Sequence, residues 1–315
     1  MDWGTRSEEG ILKAAIDIGT NTVLLLVGRV SDGRIEILEE QQRVPRLGKG
    51  VDEARNLQPE SMERVIRALD EYCSLLDSKY GSVDEIRVTA TSAVRDANNR
   101  MEFLRKVKSK TGIRVRVLSG FEEAHYTFLG AQGVLDKEMV NRQKVVLDIG
   151  GGSTEMASGN RMIRDRYSFD MGCVRFTERF LHDDPPGDCQ VQKCQKAVAD
   201  MLKEYEFNFV DDSVLVGVAG TVTSLAFMDK GCEKYDSSEL NGYILSLQKI
   251  RNYIARCKEW PSRKLVDKYP AVMEGRADIF LAGLLILEGV MKKYDFTELI
   301  TSTGGIRHGV LMDEG

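Results

Sequence analysis

"VVLDIGGGSTEMA" (residues 145–157) is an apolar run, then an acid, three consecutive glycines, two hydroxyls and a second acid. "AIDIGTNTVL" (15–24) has the same shape. A short apolar run bounded by turn residues reads as a buried strand. A glycine turn lets backbone N–H groups close around an anion. A carboxylate beside those N–H groups would repel a phosphate unless a cation sat between them. Asp17 beside Gly19, Thr20, Asn21 and Thr22, and Asp148 beside Gly150, Gly151, Gly152, Ser153 and Thr154, therefore suggest phosphate held together with Mg²⁺ (or Mn²⁺). Either segment alone fits an ordinary tight hairpin. Two of them at the same place in two halves favour a shared cleft. No lysine follows the glycines and no helix starts there, so neither is a P-loop or a dinucleotide fingerprint.

The surrounding pattern is an α/β duplication. The first half reads as strands at 12–18, 23–30 and 34–44 with a turn at 31–33, a helix at 59–79, a strand at 85–90, a helix at 98–111, a strand at 114–118 and a helix at 121–135. The second half repeats the order with strands at 144–149, 153–159, 161–169, 214–220 and 298–303, helices at 188–207, after 220 and between 247 and 293, and a short closing helix from Gly305. Each half is βββαβαβα. Two domains, 1–135 and 136–315, are expected, the second enlarged by helical insertions. A third glycine turn, "GVAGTVTSLA" (217–226), sits between a strand and a helix, and Gly220 and Thr221 could hold a further anion at that helix start.

With 315 residues, 42% hydrophobic and 30% charged, the chain has material for two cores. Its net charge of −5 argues against a general nucleic-acid coat but leaves room for a local basic cleft. No apolar run approaches the roughly 18–20 residues of a membrane span, and the polar start "MDWGTRSEEG" shows no secretory h-region. A cytoplasmic protein with six reduced, scattered cysteines is expected.

The ordered segments "AIDIGTNTVLLLV", "VTATSAVRDANN" (88–99), "VLSGFEEAHYTFLG" (117–130), "VVLDIGGGSTEM", "MGCVRFTERF" (171–180), "GVAGTVTSLA" and "EGRADIFLAGLLIL" (274–287) resemble the exopolyphosphatase / guanosine pentaphosphate phosphohydrolase family in its short two-domain form. The resemblance implies two duplicated ribonuclease-H-like domains of the actin-like ATPase superfamily, with the site between them. It implies metal-dependent release of orthophosphate from inorganic polyphosphate or from guanosine penta- or tetraphosphate by direct attack of water. By the same resemblance Glu123, the acid directly before the Ala of "SGFEEAHY", is the catalytic base, and Arg95 of "TSAVR" faces the phosphate chain.

Asp17, Asp148 and Glu155 form the expected metal and water set, the last two brought together by a tight hairpin. Successive helical residues point about 100° apart, so only one of Glu122 and Glu123 should face the cleft. Arg43, Arg46 and Lys49 could extend the anion path, whereas "RKVKSKTGIRVR" (105–116) reads as an exposed helix end. No pattern around His125 or His308 suggests a nucleophilic triad. Leu24 stands where relatives often carry a basic residue, which leaves the choice of substrate open. The expected partners include no nucleic acid and no membrane, with a homodimer as the assembly if the chain self-associates. A kinase of the same superfamily and a non-catalytic alarmone sensor are the competing readings.

Overall fold

The computed structural model describes residues 10–31 and 34–313, so most of the turn expected at 31–33 and the polar start lie outside the described residues. The first sheet is built from β1 (Ile11–Ile18), β2 (Val23–Ser31), β3 (Arg34–Arg43), β4 (Glu85–Ala90) and β5 (Arg116–Val117). Its helices are α1 (Val51–Ala54), α2 (Pro59–Tyr80), α3 (Ser92–Arg95), α4 (Arg100–Thr111), α5 (Gly120–Val134) and α6 (Lys137–Asn141). The second sheet takes β6 (Lys144–Ile149), β7 (Thr154–Gly159), β8 (Ile163–Phe169), β9 (Val214–Val218), β10 (Ile244–Ser246) and β11 (Glu298–Thr301). With it come α7 (Cys173–Phe180), α8 (Asp188–Met201), α9 (Ala219–Lys230), α10 (Ser237–Leu240), α11 (Leu247–Glu259), α12 (Ser262–Lys268), α13 (Pro270–Met273), α14 (Ala277–Lys293) and α15 (Ile306–Met312).

The duplication is explicit in the strand orders, β3-β2-β1-β4-β5 against β8-β7-β6-β9-β11, with β10 added at the outer edge of the second sheet. In each, the first three strands are an antiparallel meander and the fourth joins the first in parallel. This is the duplicated ribonuclease-H-like, actin-like α/β architecture. β6 and β7 are buried along their whole length, as strands covered on both faces must be. α2 starts with Pro at its first turn and buries Met62, Val65, Ile66, Leu69 and Leu76 at helical spacing.

A cut at 135/136 separates the two sheets, but two helices cross it in packing. α5 lies on β7 and β8 of the second sheet, while α15 lies on β1 and β2 of the first. The crossing is a backbone contact: a Cβ at Gly130 of α5 would stand 2.0 Å from the carbonyl oxygen of Gly305 at the head of α15. α5 thereby ties the carboxylates at its start to both halves.

Several elements differ from expectation. The helix expected at 188–207 stops at Met201; a turn follows, and Tyr205, Phe207 and Phe209 pack on the second core from irregular chain, Tyr205 stacking on Tyr167 at 4.1 Å. The strand expected to reach Gly220 ends at Val218, where Ala219 takes φ 63° and starts α9. The helix expected from 98 begins at Arg100, and residues 92–95 form the separate turn α3. The strand expected at 114–118 shrinks to two residues, and β10 was not anticipated. Among the described residues no helix is long and apolar enough to cross a membrane, and the six cysteines are free.

Candidate active site

The two glycine turns close with the same bond: Gly19 N donates to Thr22 O at 2.9 Å, and Gly150 N to Ser153 O at 3.0 Å. Flanking segments take the turn carbonyls in both halves. Gly48 N and Arg46 N donate to Thr20 O and Asn21 O, while Cys173 N and Val174 N donate to Gly150 O and Gly151 O. A cavity of about 620 Å³ opens between the sheets, walled by both turns. Asp17, Gly19, Thr20, Asn21, Thr22, Glu123, Asp148, Gly150, Gly151, Ser153, Glu155, Gly220 and Thr221 all line it.

Three of the expected residues do not. Gly152 lies behind its turn, where a Cβ would meet Ser92 Oγ at 2.6 Å, and its carbonyl accepts from Arg175 Nε at 2.6 Å. The Thr154 hydroxyl donates to Met171 O at 2.7 Å. Arg95 ends α3, donates to Leu118 O at 3.2 Å, and forms an ion pair with Glu123. Asn21 also ties the halves together, donating from Nδ2 to Gly275 O at 3.2 Å.

The hairpin geometry places Asp148 directly opposite Glu155 in the β6–β7 register; the equivalent pair in the first half is Asp17 and Leu24. The same position is thus a carboxylate in one hairpin and an apolar side chain in the other, and Leu24 lines the cavity too. Each acid has a hydroxyl partner: Thr89 Oγ1 donates to Asp17 at 3.2 Å, Thr127 Oγ1 to Asp148 at 2.9 Å and Ser168 Oγ to Glu155 at 2.7 Å. Burial still wins. It pushes Asp17 up to about 7 against the nearby Arg307 charge, and Asp148 up to about 6. Glu155 rises to about 7 through burial and the Asp148 charge. Glu123 is held well above the usual carboxylate range by burial and by Glu155, with Arg95 opposing.

The glutamate pair divides as the helix geometry requires. Glu123 is buried on the cavity wall. Glu122 points away, accepts from Ser119 N at 2.8 Å in a capping box, and sits below the ordinary range because of that Ser119 amide.

The basic wall is not the one anticipated. Arg43 pairs with Glu71 at 2.8 Å, Arg46 forks onto both oxygens of Asp278 at 2.9 Å, and neither they nor the exposed Lys49 line the cavity. Arg276 and Arg307 do. Arg276 is half-buried against Gly220, donates to Ser224 Oγ at 3.2 Å, and is held below the usual guanidinium range by desolvation. Arg307 donates to Leu25 O at 2.7 Å and reaches Glu40 at 3.3 Å. Each stands next to glycine or apolar sequence, in "EGRADIF" and "GGIRHG", the one signal that could have marked them. The segment 105–116 is an exposed helix end as expected, and buried His308, pushed down to about 3 by desolvation, accepts from Gly305 N.

A third arginine outside the cavity joins the halves. Arg175 Nη1 donates to Asp52 at 2.7 Å and Nη2 to Asp96 at 2.6 Å, in addition to the Gly152 carbonyl.

Among the described residues no group of three or more His, Cys, Asp or Glu side chains is arranged to hold one metal ion. Asp17, Asp148 and Glu155 share a cavity without forming a ready three-ligand cage.

Residues 26–315 match the sequence profile of the Ppx/GppA phosphatase family. The chain is 33% identical to Exopolyphosphatase 2 of Mycobacterium tuberculosis over 294 residues, covering 89% of this chain and 90% of the relative. It is similar to the crystal structure of an exopolyphosphatase-like protein, at 29% identity, 98% coverage of both chains and a TM-score of 0.90. The Aquifex aeolicus Ppx/GppA family member matches at 32% identity, 96% coverage of both chains and a TM-score of 0.79.

Proposed function

The chain belongs to the Ppx/GppA phosphatase family, and on that premise we propose that it hydrolyses the terminal phosphoanhydride bond of inorganic polyphosphate, with Glu123 as the base that activates water. The observation carrying this reading is the placement of Glu123, a buried carboxylate on the cavity wall shared by the two glycine turns. Its pKa is raised by burial and by Glu155. A base held above the ordinary carboxylate range takes a proton more readily near neutrality. The ion pair from Arg95 fixes its direction, so Arg95 acts as the residue that orients Glu123 and meets phosphate only if that pair opens.

The turn residues 19–22, Gly150, Gly151 and Ser153, with Thr221 at the third, cradle the phosphates, and Arg276 and Arg307 supply the positive wall. Mg²⁺ or Mn²⁺ fits the donor set. Asp148 and Glu155 face each other, with Asp17 in the same cavity, and all three are strained by burial in a way that a divalent cation relieves. With no three-residue cage among the described residues, such an ion would complete its shell from phosphate oxygens and water, as Mg²⁺ commonly does. Its chemistry is to neutralise charge on the phosphate oxygens. Guanosine pentaphosphate offers the same anhydride and is the second substrate.

The test is phosphate release from long polyphosphate, guanosine pentaphosphate and ATP, side by side with Mg²⁺. Release from polyphosphate at the highest kcat/KM is expected. Release from ATP alone, or from none of the three, would overturn the reading.

A further inference from the structure

The segment 249–268 holds seven basic and two acidic residues, in a chain whose net charge is −5. It forms α11 and α12, outside the cavity. Part of this charge is neutralised locally: Lys249 pairs with Asp229 at 2.6 Å, Arg251 with Glu288 at 3.2 Å and Lys258 with Asp188 at 2.6 Å. Of the four basic residues left, Arg263 among them, three gather near one ring, and Arg256 lies over Tyr253 as well, at 4.8 Å. Arg256, Lys264 and Lys268 stand 5.3, 4.2 and 5.1 Å from the centroid of Trp260. Among the described residues none of these three makes an ion pair, and Lys264 and Lys268 are exposed.

Attraction to the indole face holds each cation in place. It does not cancel their mutual repulsion, which a polyanion would. The position of the cluster selects the anion. Lys268 lies three residues before Ala271, and Ala271 and Val272 of α13 line the cavity. Three residues of chain span at most about 10 Å. Lys264 is one helical turn further out on α12.

We propose that Arg256, Lys264 and Lys268 around Trp260 form a surface site for the part of a polyphosphate chain that projects from the cleft past α13. This rests on the reading of the cleft as a polyphosphate site. A chain long enough to reach α12 gains contacts that a tripolyphosphate cannot make, so the site gives preference for length without taking part in the chemistry. Its contribution weakens with salt, because binding a polyanion with cationic side chains releases counterions.

The chain has two tryptophans, so Trp3→Phe leaves Trp260 as the reporter. In that background, Trp260 emission is titrated with long-chain polyphosphate, with tripolyphosphate, and with sulfate at matched ionic strength. KM and kcat are measured for both polyphosphates in wild type and in Lys264→Glu/Lys268→Glu. The expected result is a saturable emission change with the long chain only, weakened by salt and lost in the double variant. KM for the long chain rises about tenfold, while kcat and the tripolyphosphate KM stay within twofold. An equal emission change with sulfate, or an unchanged KM for the long chain, overturns the proposal, as does an equal rise for the short one. If wild type hydrolyses no polyphosphate yet Trp260 still responds to the long chain through Lys264 and Lys268, the surface site stands and the cleft reading falls.

Discussion

Arg175 is the side chain whose loss should separate the two halves most cleanly. Its guanidinium is 6% exposed and donates to Asp52 (side chain 12% exposed), to Asp96 (17%) and to the Gly152 carbonyl. Arg175→Met keeps most of the volume and removes all three bonds. Breaking a buried pair from one side costs about 3–5 kcal/mol, because the partner stays buried and unpaired. Asp52 retains Arg179, which donates to it at 2.7 Å, so its share is small. Among the described residues Asp96 keeps Arg95 alone, at 3.6 Å, and Gly152 O loses a bond worth about 1 kcal/mol. The sum is about 3 kcal/mol. Urea unfolding of Arg175→Met, Asp96→Asn and the double variant measures it. The double variant should be less destabilised than Arg175→Met alone, with a coupling of about 1–2 kcal/mol. Since Gly152 belongs to the second turn, activity should fall as well. A loss below about 1 kcal/mol, or additive single effects, would refute the account of Arg175 as the tie between the halves.

Chelation with EDTA should abolish phosphate release, and Mg²⁺ or Mn²⁺ should restore it; full activity after exhaustive chelation would remove the metal. For pH, Asp17 in the folded chain lies near 7, above its ordinary value of 3.8. Its stabilising contribution is therefore present below the unfolded value and lost as pH rises through about 7. In EDTA, from about pH 5 to about pH 7.5, wild type should lose roughly 2 kcal/mol more stability than Asp17→Asn, as read by urea unfolding at each pH. The comparison with the variant cancels the opposite contribution of buried His308. Arg95→Ala should lower kcat/KM at least tenfold, because Glu123 loses its ion pair, while Arg105→Ala on the exposed end of α4 should change it less than twofold in steady-state assays.

The sequence was most legible where local rules act alone. The two hairpins with opposed Asp148 and Glu155, the duplicated strand order and the amphipathic α2 follow from period and turn chemistry. That only one of Glu122 and Glu123 faces the cavity follows from helix angle, while the choice of Glu123 came from the family resemblance. The arginines were not legible in this way. Arg276, Arg307 and Arg175 reach the site or its supports from α14's start, α15 and α7, and their partners are distant in sequence: Ser224 for Arg276, Leu25 and Glu40 for Arg307, Asp52 and Asp96 for Arg175. The placement of Arg95 depended on α3, a single turn too short to leave a periodic signal. The same limit hid β10, three residues on a sheet edge. Arg43 and Arg46 looked like an anion path until the fold supplied Glu71 and Asp278.

The central claim is that Glu123 activates water while its neighbour caps the helix. Turnover and substrate affinity of Glu123→Gln and Glu122→Gln, at one pH and one Mg²⁺ concentration, test it most directly. Glutamine at 123 keeps the shape and can still accept from Arg95 but lacks the basic oxygen. Turnover should fall by about 10²–10⁴-fold, with affinity retained or tightened as one negative charge leaves the cavity. Glu122→Gln should keep turnover within a few-fold and lose stability through the weakened capping box. Full turnover in Glu123→Gln, or a dead Glu122→Gln beside it, would contradict the account.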